Sequence, residues 1–181
     1  MKQGQGNDNC IDATLVGEGS FPYDLTGSTL DGPNTCDPNI LNDVWFQYTA
    51  TADGTATIAN CSQSGTNDDS VIAVYDGALC PGPGAACIVS SDDDCGAGGF
   101  MSTVNIPVFA GNSYMVQVCG WNASEGTGTL DITLGGGGPG GGGNDNCIDA
   151  TLVGEGSFPY DLTGSTLDGP TTCDTNSMNE V

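Results

Sequence analysis

Apolar and polar residues alternate along much of the chain, a pattern typical of β-strands that are buried on one face. Ala56 and Ile58 lie between threonines. Leu130, Ile132 and Leu134 alternate with polar residues in the same way. A period of two puts the apolar side chains on one side of a strand. Strands are predicted for seven alternating or continuously apolar runs, namely residues 44–49, 55–59, 70–75, 86–89, 103–108, 114–118 and 127–134.

Turn-forming residues separate these runs. Asp53-Gly54, Asp76-Gly77 and Gly111-Asn112 are pairs that favour tight turns between strands. The chain contains 30 glycines and almost no lysine or arginine, so few stretches favour a helix. Its length and pattern predict an all-β protein built on one β-sandwich of about 100 residues. The sequence contains no apolar stretch of 18 residues, the length that a membrane-spanning helix requires.

The chain also repeats its own beginning. Residues 6–44 recur as residues 143–181, and 34 of the 39 aligned positions are identical. A long fixed period of this kind indicates domains joined end to end. The sequence therefore predicts an N-terminal extension (1–43), a sandwich core (44–134), a glycine-rich linker (135–143) and the extension of a next repeat (144–181).

A 39-residue piece of a sandwich buries too little surface to fold alone. We therefore expect the second copy to dock, either on the preceding domain or on a neighbouring chain. Residues 1–4 lead straight into the first copy without an apolar signal-peptide core. The chain is accordingly expected to be part of a longer secreted protein.

Nine cysteines in a small glycine-rich chain favour disulfides and an oxidising, extracellular location. Cys10 and Cys36 recur in the second copy as Cys147 and Cys173. The simplest interpretation of a pair that recurs together is a disulfide that closes its own segment. The absence of histidine and of a CxxC pair argues against zinc.

The five other cysteines cannot all pair with one another. Cys80 and Cys87 bracket a short turn-rich stretch and are predicted to close it. Cys61, Cys95 and Cys119 remain, so one thiol of each unit is either free and buried or bonded to another copy.

The charge of the chain is strongly negative. The sequence has 23 acidic residues, one basic residue and a formal net charge of −22. Such a charge argues against nucleic acid and anionic membrane surfaces as partners. Acidic loops suit Ca²⁺, for which the candidate ligands are Asp68, Asp69, Asp92, Asp93 and Asp94. The alternative is that these aspartates cap turns and that the charge serves solubility.

Three further positions suggest binding or modification. Asn60 and Asn122 each begin an N-glycosylation triplet, although such triplets also occur by chance. Trp121 lies in a turn and is a candidate platform for a sugar ring, whereas the other aromatic residues fit sheet packing. Without histidine there is no Ser-His or Cys-His pair, so we expect no enzyme activity.

Several segments resemble the bacterial pre-peptidase C-terminal domain, in the same order as in that family. They read DVWFQYTATADGTATIANC, DDSVIAVYDG, DDDCG, STVNIPVFAGNSYMVQVCGWN and GTGTLDITL, and they span residues 43–134. The resemblance implies a jelly-roll-like β-sandwich of a secreted or surface protein, and related collagenase modules bind Ca²⁺ and matrix polymers. The cysteines and the 38-residue lead-in depart from the family pattern.

Two functions follow as expectations. The first is a structural subunit of an extracellular bacterial filament or surface array, stabilised by calcium and assembled head-to-tail through the repeated segment. That segment would add a strand to a neighbouring sheet edge. The alternative is a carbohydrate- or matrix-binding module of a secreted multidomain enzyme.

Overall fold

A computed structural model of the chain describes residues 6–62, 65–96 and 99–136. Most of the predicted linker and all of the second copy, including Cys147 and Cys173, lie outside the described residues. Within the described residues, a short 3-10 turn, Cys10–Asp12, precedes nine strands. These strands are β1 (Thr14–Val16), β2 (Gly19–Asp24), β3 (Ile40–Thr49), β4 (Gly54–Ala59), β5 (Ser70–Asp76), β6 (Val89–Asp92), β7 (Thr103–Val108), β8 (Ser113–Trp121) and β9 (Thr127–Gly136).

The strands form two sheets. The five-stranded sheet has the order β1-β3-β8-β5-β6, and the four-stranded sheet has the order β2-β9-β4-β7. The β1–β3 pair is parallel, with Thr14 opposite Phe46, and the other pairs are antiparallel. Apolar side chains from both sheets meet in one core, which includes Val44, Ile58 and Ile132. The prediction of an all-β sandwich is confirmed.

The five-stranded sheet is packed on both of its faces. Its inner face lies in the main core, while Trp45, Tyr75 and Met115 form a second apolar cluster on its outer face. Cys10 belongs to that cluster and Cys36 packs against it. Because both faces are buried, β3 and β5 read as continuous apolar runs and not as alternating ones.

The N-terminal part of the chain is built into the sandwich. β1 is an edge strand of one sheet and β2 is an edge strand of the other. The chain therefore passes from one sheet to the other within residues 14–24, and β3 begins at Ile40, before the first predicted strand. The first residues of the predicted linker, Gly135 and Gly136, end β9.

One predicted strand is misplaced. Residues 86–89 were expected to form a strand, but the strand of this region is β6, Val89–Asp92. Cys87 is bonded to Cys36, and the backbone N–H of Cys87 donates to the Cys36 sulfur at 3.2 Å. This disulfide holds residue 87 against the N-terminal segment, so regular pairing with β5 begins only at Val89.

The predicted disulfide pairing is wrong. Cys10, Cys36, Cys80 and Cys87 are all bonded, but the pairs are Cys10–Cys80 and Cys36–Cys87. The N-terminal extension is therefore not closed on itself. Both of its cysteines reach across to the loop between β5 and β6, so the two disulfides anchor one segment to the same loop.

The structure also shows the bonding of the three remaining cysteines in the described residues. Cys61 and Cys95 form a third disulfide, and Cys119 is free and buried. Burial raises the pKa of the Cys119 thiol well above its usual value, which keeps it protonated. Within the part of the chain described here, no helix is long and apolar enough to cross a membrane.

Candidate functional site

Three aspartates meet at one end of the five-stranded sheet. Val71 of β5 pairs with Asp92 of β6, so the residue before β5, Asp69, lies beside Asp92 and Asp93. Carboxylate oxygens of these three residues all lie within 4.8 Å of one another. We call these three residues the acidic cluster.

The electrostatics of the acidic cluster favour a bound cation. Burial and the neighbouring charges of Asp92, Asp93 and Asp68 raise the pKa of Asp69 to about 6. Burial and nearby carboxylates, Asp93 first among them, also raise the pKa of Asp92. Asp92 Oδ1 is buried without a hydrogen-bond partner among the described residues. An all-oxygen donor set with one unsatisfied oxygen fits Ca²⁺.

The two other predicted metal ligands have different partners. Asp68 Oδ1 accepts a hydrogen bond from the Ser124 hydroxyl at 2.8 Å. Asp94 Oδ2 accepts one from the Ser91 hydroxyl at 2.9 Å. Asp94 thus stabilises a local turn, as expected from the alternative interpretation of the acidic loops, whereas Asp68 joins two loops that are far apart in the sequence.

An aromatic recess adjoins the acidic cluster. Trp121 at the end of β8 is 37% exposed, and Phe100 just before β7 is 57% exposed. Together with Asp68, Asp69 and residues 122–124, they line a shallow recess of about 480 Å³. The sequence pattern did not single out Phe100, because it is an isolated apolar residue in a glycine- and aspartate-rich loop.

The turn that carries Trp121 has an unusual backbone. Asn122 and Ala123 have φ angles of 48° and 64°. Left-handed backbone in two successive residues other than glycine is uncommon and costs free energy. The N–H of Asn122 donates to the Asn39 carbonyl at 2.8 Å, and the N–H of Ser124 donates to the Trp121 carbonyl at 2.8 Å. These bonds hold Trp121 at the rim of the recess.

The predicted glycosylation of Asn60 is wrong. Its side chain is 1% exposed. Its amide nitrogen donates to the hydroxyls of Ser70 and Tyr23, and its amide oxygen accepts from the N–H of Ser102. Because the folded chain buries the amide and uses its polar atoms, Asn60 is a structural residue. Asn122, in contrast, is exposed.

A third functional feature is the contact between the lead segment, defined as residues 6–36, and the body, defined as residues 40–136. Asn7 exchanges two hydrogen bonds of 2.9 Å with the backbone of Trp45. Trp45 Nε1 donates to Asp31 Oδ1 at 2.8 Å. Tyr48 donates its hydroxyl proton to Glu18 at 2.9 Å. No motif in the sequence marks Asn7, Glu18 and Asp31, although all three recur in the second copy.

Asp43 is the buried centre of this contact. It is fully buried and accepts hydrogen bonds from the Gln117 amide at 2.7 Å and from the N–H of Gly32 at 3.1 Å. Tyr75 donates to Gln117 at 2.9 Å, which continues the network into β5. Burial, with a smaller contribution from Asp31, raises the pKa of Asp43 to about 7.

No family model matches the chain, and no curated protein matches it. Among solved structures, it is similar to the pre-peptidase C-terminal domain of collagenase from Bacillus anthracis, with a TM-score of 0.42 and 11% identity over 67% of this chain and 94% of that chain. It is also similar to PliG from Aeromonas hydrophila, a periplasmic inhibitor of g-type lysozyme, with a TM-score of 0.37 and 14% identity over 67% of this chain and 97% of that chain. These similarities concern the β-sandwich fold and say nothing about function.

Proposed function

We propose that this protein is a structural subunit of an extracellular bacterial filament or surface array, assembled head-to-tail through the repeated segment. One observation carries the proposal: the lead segment supplies an edge strand to each sheet and a cysteine to each of two disulfides, and it recurs after the body. Disulfides of this kind persist in an oxidising environment outside the cytoplasm.

The repetition is concentrated on the residues that contact the body. Residues 6–36 and 143–173 differ at one of 31 positions, where Asn34 corresponds to Thr171. Over the next eight positions four differ, and the fully buried Ile40 corresponds to Ser177. The copy thus retains the docking residues more closely than it retains the beginning of β3.

The edges of the four-stranded sheet disfavour simple strand addition. Its edge strands β2 and β7 contain Pro22 and Pro107. Proline lacks an N–H for a ladder and is a common device against edge-to-edge pairing. Assembly through the contacts that the lead segment already makes therefore has better support than addition of a further strand at these edges.

Calcium has a defined place in this proposal. Asp69, Asp92 and Asp93 would hold the ion, and its charge would offset part of the repulsion among strongly acidic subunits. Asp92 Oδ1, which is buried and has no hydrogen-bond partner in the part of the chain that the structure describes, supports the proposed site.

The test is electron microscopy of the purified chain in millimolar Ca²⁺ over a range of protein concentrations. We expect filaments or linear arrays with one body per repeat. A chain shortened to residues 1–136, which retains the nine strands found in the described residues, is the control and should remain dispersed. Dispersed particles of the full chain at every concentration would contradict the proposal.

The aromatic recess favours a second candidate function, binding of a carbohydrate. Sugar rings stack on exposed aromatic faces, while carboxylate and hydroxyl groups of the kind offered by Asp68 and Ser124 bind sugar hydroxyls.

Phe109→Ala is the matched control for Phe100→Ala, because both phenylalanines are about half exposed and they lie at opposite ends of β7. On a glycan array, Trp121→Ala and Phe100→Ala should abolish binding and Phe109→Ala should retain it. Absence of any glycan binding by the unaltered chain would exclude this function.

A further inference from the structure

We infer that residues 143–173 of one chain take the place of residues 6–36 on the body of a second copy, with Cys147 bonded to Cys80 and Cys173 bonded to Cys87 of that copy. This inference rests on the proposed function, since it names the contact through which subunits join. The contacts of the lead segment on its own body are the argument for it.

The first set of contacts lies on the five-stranded sheet. β1 pairs with β3, and the 3-10 turn before it carries Cys10 to Cys80. Asn7 binds the backbone of Trp45, and Glu18 accepts hydrogen bonds from the Tyr48 hydroxyl and the N–H of Thr51. The residues that make these contacts all recur in the copy, as Asn144, Cys147, residues 151–153 and Glu155.

The second set lies on the four-stranded sheet and between the sheets. β2 pairs with β9 over six residues. Tyr23 lies in the core and hydrogen-bonds Asn67 and Asn60, and Leu25 is fully buried. The copy has Tyr160 and Leu162 at these positions.

The lead segment packs closely on the body at Gly32, and the copy keeps a glycine at this position. A Cβ atom added to Gly32 would lie 2.3 Å from the Trp45 ring and 2.5 Å from the Gln117 amide. Only glycine fits there, and the copy has Gly169. Because the copy has the same residues at all of these positions, one body has two candidate occupants, its own lead segment and the copy from another chain.

The covalent step is a thiol–disulfide exchange and needs no external oxidant. The Cys147 thiolate attacks the Cys80 sulfur, the Cys10–Cys80 bond breaks, and Cys10 leaves as a thiolate that takes up a proton. Cys173 attacks Cys87 and releases Cys36 in the same way. Cys80 is exposed whereas Cys10 is buried, so the sulfur that must be attacked belongs to the accessible residue.

Concentration decides which occupant is bound. A lead segment in the same chain has an effective concentration on the order of millimolar, so it prevails in micromolar solution. The copy from another chain competes once subunits are crowded, or once the lead segment has lost its cysteines. Screening of the charge of −22 by salt or Ca²⁺ brings the subunits together and acts in the same direction.

The experiment removes the cysteines of the lead segment. The Cys10→Ser/Cys36→Ser chain is oxidised with a glutathione redox buffer, separated on a non-reducing gel and mapped by mass spectrometry. We expect disulfide-linked multimers containing Cys80–Cys147 and Cys87–Cys173 peptides, with a linked fraction on the order of 10²-fold above that of the unaltered chain at micromolar concentration. The Cys147→Ser/Cys173→Ser chain is the matched control and should give unlinked monomers with the Cys10–Cys80 and Cys36–Cys87 bonds.

A second measurement does not depend on the folding of that variant. The unaltered chain in the same buffer should show the two intermolecular bonds increasingly as its concentration rises. Absence of the two intermolecular bonds from the unaltered chain at every concentration would overturn the inference. So would a Cys80–Cys87 bond in the Cys10→Ser/Cys36→Ser chain, or the two new bonds formed within a monomer of it. Filaments that contain only the original bonds would leave the proposed function standing and refute the exchange. Linked dimers that never extend into filaments would support the exchange and refute the filament.

Discussion

The polar residues that matter most for this fold are few and buried. Asp43, Gln117 and Tyr75 form a chain of hydrogen bonds beneath the lead segment, and Asp31 and Gly32 contribute from that segment itself. A buried carboxylate with hydrogen-bond donors on both oxygens orders its neighbours, but its ionisation is costly.

Asp43 makes stability depend on pH. Its pKa is about 7 in the folded chain against an ordinary value of 3.8, so the folded state binds the proton more tightly. The contribution to stability is therefore greatest below pH 4 and is lost as the pH rises towards 7. We expect the free energy of unfolding, from urea denaturation with disulfides intact, to fall between pH 5 and pH 8 by on the order of 1–3 kcal/mol.

Asp43→Asn removes the titrating group and should flatten this profile. Asp76→Asn, which alters an exposed carboxylate at the end of β5, is the control and should leave the profile unchanged. The raised pKa of Asp69 acts in the same direction as that of Asp43, so a residual slope is expected in the Asp43 variant. An unchanged slope in Asp43→Asn would show that other groups carry the pH dependence.

Among the larger elements, the lead segment is the one whose role the pattern of the sequence did not reveal. The sequence predicted an N-terminal extension separate from the sandwich core, yet β1 and β2 form an edge of each sheet. A three-residue strand such as β1 gives no periodic signal, because alternation needs about four residues to be recognised. The longer strands β4, β7 and β9 were recognised because apolar and polar residues alternate along them. β8, which is buried on both faces, was recognised as a nearly continuous apolar run.

Docking of the lead segment depends on the missing side chain of Gly32. Gly32→Ala would place a methyl group against Trp45 and Gln117, both fully buried. We expect a loss of about 1–3 kcal/mol in the free energy of unfolding, measured by urea denaturation. Gly82→Ala is the matched control, because no atom lies within 4 Å of its added Cβ. Equal effects of the two substitutions would mean that the lead segment does not pack tightly on β3 and β8.

For the molecule as a whole, charge opposes both folding and association. A net charge of −22 with a single basic residue leaves few internal ion pairs, so cations from solution have to compensate the repulsion. Any dissolved salt screens part of this repulsion. A cation bound specifically at the acidic cluster would neutralise a further part.

Calcium should raise the melting temperature more than sodium chloride does at equal ionic strength. At a hundredfold excess over the dissociation constant, the gain is about 2.7 kcal/mol, which corresponds to several degrees. Asp92→Asn should remove most of this specific gain, whereas Asp53→Asn, distant in sequence and beside β4, should not. The gain should also be smaller at pH 5 than at pH 7.5, because Asp69 has a pKa of about 6 and its proton competes with the ion. Equal shifts with calcium and sodium chloride would exclude a specific site.

The alternation of apolar residues, the turn pairs and the number of cysteines determined the all-β class, most strands and the presence of disulfides, and the repeat predicts a tandem organisation. These properties depend on neighbouring residues or on simple counts of residues, so they can be read from the sequence. The partners of Cys10 and Cys36, the grouping of Asp69 with Asp92 and Asp93, and the burial of Asn60 were decided only by the tertiary structure. The two disulfides join residues 70 and 51 positions apart, and the path of the chain through two sheets brings them together. Proximity across such distances depends on the order of the strands, which the period of a single strand does not encode.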